Sequence, residues 1–361
     1  LALDTSYAPL LEHLPLLYSH LGDTSRARLA TVRLMRDTAA FYHPSNRVVF
    51  APDSAARVAA VRDLEAKPPF LTPAAAVMVV IAGLEVPDLD DAIRRARDRT
   101  ATSADREFVA QMQYYVAMER GQPGYAARVA LDLPNRMADR MFAATFWDGD
   151  STAGAAHYAE SKALVSAAVP QDATARRAWM TAIFDVAQYE LARGDTTHTS
   201  RVIARLRTLP PVPGAPVESA RPERLALILD AQLATLAGRP DAHSRLTSLD
   251  SMLALGPIGD HVRLPGNLVA SRLWERAGNV RKAYEAARRW TFTNNPIDGS
   301  LHAPYLREQA RLAASLGDRE TAIAAYRRYL RLRANAEPAL ARDVATARSE
   351  LAKLEQQSAG R

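Results

Sequence analysis

The hydrophobic positions of this chain fall into short stripes with helical spacing, and a glycine repeatedly separates one stripe from the next. In residues 315–330, SLGDRETAIAAYRRYL, the side chains Ile323, Tyr326 and Leu330 stand at i, i+3 and i+7, one face of a helix. Ahead of the turn, Leu306, Ala310, Ala313 and Leu316 form a second stripe. Gly317 suits a C-terminal cap in the left-handed region, where a Cβ is penalised, and Asp318 and Thr321 can support the next helix start. The pattern predicts a helical hairpin.

The same order recurs around Gly22, Gly121, Gly194, Gly238 and Gly278, with spacings of 44, 40 and 39 residues from Gly194 onward. Five residues after each glycine stand Ala27, Ala126, Thr199, His243, Ala283 and Ala322, and seven before stand Pro15, Tyr114, Ala187, Ala231, Ser271 and Ala310. Small residues dominate both rows, as close packing of paired helices requires. The hairpin is therefore one unit of an array, and self-similarity at such a period is the mark of a repeat architecture. The apolar run 74–84 is too short to span a bilayer and predicts a buried helix, so no membrane insertion is expected. The segment 41–53, FYHPSNRVVFAPD, is expected to hold a short strand. Leu340, Val344, Ala347, Leu351 and Leu354 stripe a final helix, expected to cap the array.

Proline-rich TLPPVPGAPVESARP (208–222) reads as a break that no helix crosses. It divides the chain into an N-terminal array, 1–207, and a C-terminal array with its capping helix, 223–361. The 361 residues are 48% hydrophobic, enough for a sizeable core. The 46 basic residues nearly balance the 40 acidic ones, at a net charge of +6, which is weak for a dedicated nucleic-acid binder. The absence of cysteine excludes disulfides, thiol chemistry and Cys-based zinc sites, and leans toward an exported location. The opening LALDTSYAPLLEHL reads as the last turn of one helix entering the next, as in a segment of something longer; no signal peptide is assigned.

On Ala310, Gly317 and Ala322, and next on Gly278 and Ala283, the chain resembles the tetratricopeptide repeat, although its period near 40 exceeds the usual 34 or so of that family. Over 223–361 it is also similar to C-terminal helical-repeat regions of bacterial serine/threonine kinases and transcriptional regulators. The kinase motifs themselves are not in the sequence, so no kinase activity carries over. The resemblance implies an all-α solenoid of antiparallel hairpins whose first helices line a concave groove. It also implies that the row six residues before each glycine faces that groove: Leu16, Tyr115, Gln188, Gln232, Arg272 and Arg311, with Arg307 one turn from Arg311. This row turns from apolar to cationic along the chain.

Other motifs are weaker. Tyr158 and Lys162 match the Tyr-x-x-x-Lys pair of short-chain dehydrogenases, but the Gly-rich strand–helix turn of a dinucleotide site is missing. Asp148 and Asp150 open like a calcium loop whose later ligands fail at Thr152, Ala153 and Ala159. His13 and His20 can share a helix face without completing a metal set. Arg327, Arg328, Arg331 and Arg333, interleaved with Tyr326 and Tyr329, read as a solvated helix face, with nucleic-acid stacking the competing reading.

The expectation is a non-catalytic scaffold or sensor region of a larger bacterial signalling protein, without cofactor or metal. It would bind a protein or peptide that is acidic or offers its C-terminal carboxylate. The candidate groove residues are Tyr115, Gln188, Gln232, Arg272, Arg307 and Arg311. The alternatives are a nucleic-acid-binding helical repeat protein and an oxidoreductase built on Tyr158 and Lys162.

Overall fold

The computed structural model describes residues 51–81, 84, 86, 89–130, 161–212, 216–255, 262–289 and 301–359, with isolated positions at 26, 29, 47–49, 155, 158 and 159. Among the described residues every regular element is helical. The hairpin expected at Gly22 with Leu16, the His13 and His20 pair and the Asp148 and Asp150 loop lie outside them. Where a strand was expected in 41–53, residues 47–49 are helical, and Val48 and Val49 are buried. Two β-branched neighbours do not outweigh helical packing of that kind.

Among the described residues, the helices before residue 131 with assigned bounds are α1 (Ser54–Glu65), α2 (Leu71–Ile81), α3 (Leu89–Asp98), α4 (Ser103–Glu119) and α5 (Pro123–Ala130). A 3-10 turn, Lys162–Val165, precedes α6 (Ala173–Ala192) and α7 (Thr199–Arg207). Next come α8 (Pro216–Leu236), α9 (Ala242–Leu255), α10 (Arg263–Arg276) and α11 (Val280–Ala287). The last are α12 (His302–Ser315), α13 (Arg319–Leu332) and α14 (Ala341–Ala359). The apolar run 74–84 supplies α2, whose Ala75, Ala76, Val79 and Val80 are buried.

Local chemistry explains the boundaries. Asp53, Thr102, Asp172, Asn279 and Asp318 each accept a backbone N–H from three residues on, closing a helix start. Gly121, Gly194, Gly238, Gly278 and Gly317 all have positive φ. At each, the glycine N–H bonds to a carbonyl three residues back and the following N–H to one five residues back, as in Ala314 and Ala313 at Gly317. The five turns are one motif used five times, with each left-handed position taken by the residue that lacks a Cβ. The helices on either side pack on each other: α4 on α5, α10 on α11, α12 on α13.

The small-residue rows lie inside these pairs. Ala126, Thr199, Ala283 and Ala322 are buried, as are Ala187, Ala231, Ser271 and Ala310. His243 is the exception: it is exposed, and its ring meets Trp274 edge-on at 5.4 Å. The final stripe is also inward: Leu340, in the 3-10 turn before α14, and Val344 and Ala347 on α14 are buried.

The proline-rich segment needs a correction. A helix starts inside it, at Pro216, and passes through Pro222. Pro216 is its first residue, where the missing N–H would have no intrahelical partner and the fixed φ already suits a helix. Pro222, in the second turn, is buried in a helix that also buries Leu225, Ala226, Ile228 and Leu229.

Among the described residues two hydrophobic clusters stand out, and they do not follow chain order. One joins α1–α5 to Tyr305, Leu306, Tyr326, Tyr329 and Leu332 of α12 and α13; the other runs from α6 to α11 and takes in Leu312, Ala313 and Ala322. Polar contacts reinforce the first. The Glu119 carboxylate, 1% exposed at the end of α4, accepts the backbone N–H of His302 and of Ala303, both at 2.8 Å. In return the Glu337 carboxylate accepts the N–H of Gly124 (2.7 Å) and of Tyr125 (3.0 Å) at the start of α5. Each carboxylate thus caps a helix start about two hundred positions away in sequence, where N–H groups lack intrahelical partners and the dipole favours negative charge.

The arginine run is corrected by the same junction. Arg327 and Arg331 are exposed, Arg327 with Glu355 as its partner. Arg328 is half-buried, and burial first, then the Arg331 charge, lowers its pKa to about 10. Arg333 is 2% exposed and donates to the Met118 carbonyl at 2.7 Å. The run is not a solvated face as a whole, because the end of α4 supplies a backbone acceptor that satisfies a buried guanidinium.

Candidate functional site

The row six residues before the hinge glycines lies on the first helix of each hairpin, and two pairs of its members are linked across hairpins, Gln188 with Gln232 directly and Arg272 with Arg311 through carboxylates. Tyr115 is 2% exposed, and its hydroxyl accepts the Gln111 Nε2–H at 3.0 Å. Gln188 on α6 and Gln232 on α8 are buried and exchange two amide hydrogen bonds, at 2.5 and 3.1 Å. Arg272 on α10 reaches Glu308 on α12 at 3.4 Å. Arg311 on α12 pairs back with Glu275 on α10 and with Glu308 on its own helix. The Arg311 hydrogen bond holds the Glu275 carboxyl below its usual range, and Glu275 in turn raises the Arg311 guanidinium.

Arg307 belongs to a second network, toward α14. It donates to Asp343 (3.2 Å), Glu350 (2.7 Å) and the Tyr326 hydroxyl (3.2 Å), and that hydroxyl donates to Glu350 at 2.7 Å. Burial opposes the charge on Arg307, but Asp343 and Glu350 outweigh it and push its pKa up. The row is therefore a ladder of complementary pairs: amide with amide, then guanidinium with carboxylate. Tyr115, Gln188 and Gln232 are inside it, while Arg272 and Arg311 keep about a third of their side chains exposed, 38% and 31%.

Tyr158 and Lys162 are also brought together. The Tyr158 ring stacks on Tyr189 at 4.8 Å, and Lys162 Nζ lies 5.8 Å from its centroid. Its hydroxyl donates to the fully buried Glu190 carboxylate at 2.8 Å. Burial, then the Glu190 hydrogen bond and charge, push the Tyr158 hydroxyl up to about 12. Proton transfer of the dehydrogenase type requires a tyrosine pKa displaced downward. Glu190 also accepts the His198 backbone N–H at 3.0 Å and meets His198 Nδ1, so it ties the end of α6 to the start of α7.

A cavity of about 340 Å³ lies among α3, α4, α5 and Glu337. Ile93, Val116 and Ala117 form its apolar wall, with Gln113, Arg120 and Arg128 as polar lining. Gln113 is 5% exposed, and its Oε1 accepts no hydrogen bond among the described residues. Arg120 pairs with Asp90 at the cavity edge through one terminal nitrogen. Arg128 is exposed and lies 5.7 Å from the Tyr125 ring, with no carboxylate in ion-pair range among the described residues. The one local signal is Gln111 and Gln113 inside a helix whose residues from Val109 to Glu119 are all buried.

Among the described residues no group of His, Asp and Glu is arranged to hold a metal, and no helix is long and apolar enough to cross a membrane. The chain matches no protein-family profile, no curated protein and no solved structure.

Proposed function

We propose that the chain is a non-catalytic binding scaffold, an α-solenoid of tetratricopeptide-like hairpins that recognises a protein or peptide. The observation that carries this reading is the common register of the five positive-φ glycine turns, each closing one helical hairpin. Hairpins repeated in that way present the same helix position side by side, and a linear array of such positions suits an extended ligand. The resemblance over 223–361 supports a place as the scaffold or sensor region of a larger bacterial signalling protein.

The partner is a protein or peptide segment that is acidic or offers its C-terminal carboxylate. Arg272 and Arg311 are the exposed rungs of the ladder, and their present partners, Glu275 and Glu308, are carboxylates of the chain itself. An incoming carboxylate would exchange with these, keeping charge-assisted geometry while gaining contacts along the row. Capture of partners on the intact chain, followed by mass spectrometry, tests the reading. Arg272→Ala with Arg311→Ala should abolish capture, whereas Arg327→Ala with Arg331→Ala, an equal loss of charge elsewhere, should retain it. Equal capture by all three proteins would place recognition away from the ladder.

A further inference from the structure

We propose that the cavity among α3, α4 and α5 is a binding site for a small organic monocarboxylate with an apolar body and a hydrogen-bond donor at its far end. This function is separate from peptide recognition on the ladder. The volume, about 340 Å³, falls at the lower end of small-molecule sites. Its chemistry is divided as such sites are, with Ile93, Val116 and Ala117 offering apolar contact and a few polar groups fixing orientation.

Charge selects the ligand class. Of the four charged residues in the lining, Asp90 neutralises Arg120, and the Glu337 carboxylate is taken up by the N–H groups of Gly124 and Tyr125. Arg128 is left as the cation without a carboxylate among the described residues. The guanidinium that lacks a carboxylate partner, rather than the net charge of the lining, is what a ligand carboxylate would meet. The planar guanidinium also suits a carboxylate's two oxygens.

Gln113 supplies the second determinant. Gln113 lines the cavity and is 5% exposed, so its amide can hydrogen-bond a ligand hydroxyl there. The exposed Tyr125 ring, under the Arg128 guanidinium, favours an aromatic ligand body.

The test is isothermal titration of the full chain with 4-hydroxyphenylacetate, compared with phenylacetate and with 4-hydroxyphenylacetamide. The hydroxylated acid should bind saturably at one site with a Kd of about 1 mM or below. The uncharged amide should bind at least roughly tenfold more weakly, as should the acid on the Arg128→Gln protein. On Gln113→Leu, the advantage of the hydroxylated acid over phenylacetate should vanish. Arg128 is on the surface, so its variant keeps the test decisive if Gln113→Leu does not fold. No saturable binding up to about 10 mM, or equal affinity for acid and amide, would overturn the proposal. Unchanged binding by Arg128→Gln would do the same.

Discussion

Gly121 is held by two demands at once. Its φ of +73° is one an L side chain rarely adopts, and a Cβ there would lie 2.7 Å from both Arg333 Nη1 and Leu340 Cδ1. Gly278 shares the first demand, at φ +77°, but would meet nothing within 4 Å. Gly278→Ala should therefore cost about 1–2 kcal/mol, the left-handed penalty alone. Gly121→Ala should cost measurably more, because Arg333 is buried and anchored to the Met118 carbonyl. Urea unfolding of the two variants side by side checks this. A second expectation concerns Tyr158. A raised phenol pKa means that the neutral form is favoured in the folded state. Its contribution to stability is thus fully present below about 10 and lost as pH rises toward about 12. Following tyrosine ionisation by ultraviolet absorbance, Tyr158→Phe should remove a component that titrates near 12.

The hairpins were legible because their chemistry is local. Only glycine sits comfortably in the left-handed cap, and only small side chains let paired helices approach, so both leave a periodic trace at fixed offsets. Ala322 and Ala283 are fully buried at equivalent positions, so Ala322→Leu and Ala283→Leu should each overpack and cost roughly 1–3 kcal/mol. His243 occupies the same offset but is exposed, so His243→Leu should change the melting temperature far less. Equal shifts in all three would mean that the offset does not govern packing. The proline-rich segment misled because Pro reads as a helix breaker, although at a first helical position it is an initiator. The groove row was legible as a row but not in its contacts. Glutamines and arginines say nothing of the Glu275 and Glu308 that meet the arginines from the next helix.

The junction of α4 and α5 with α12 and α13 had no sequence signature at all. A carboxylate capping a helix some two hundred positions away follows no period, and the Arg333 that supports it looked like part of a surface run. Glu119→Ala would strip two buried N–H groups of their acceptor, and each unsatisfied donor costs about 1–3 kcal/mol. Hydrogen exchange should accelerate at the start of α12 and also in α4, while α8 to α11 stay protected. Faster exchange at the start of α12 alone would show that the two regions are not coupled.

The reciprocal caps at Glu119 and Glu337 also constrain how this chain can vary in length. An open stack of hairpins tolerates gain or loss of a unit, since each contacts only its neighbours. Here α6–α11 lie in sequence between two regions that must meet, so the number of intervening hairpins is counted rather than free. Duplicating the α8–α9 unit would keep every local turn and every small-residue contact intact, yet would separate two carboxylates from the helix starts they serve.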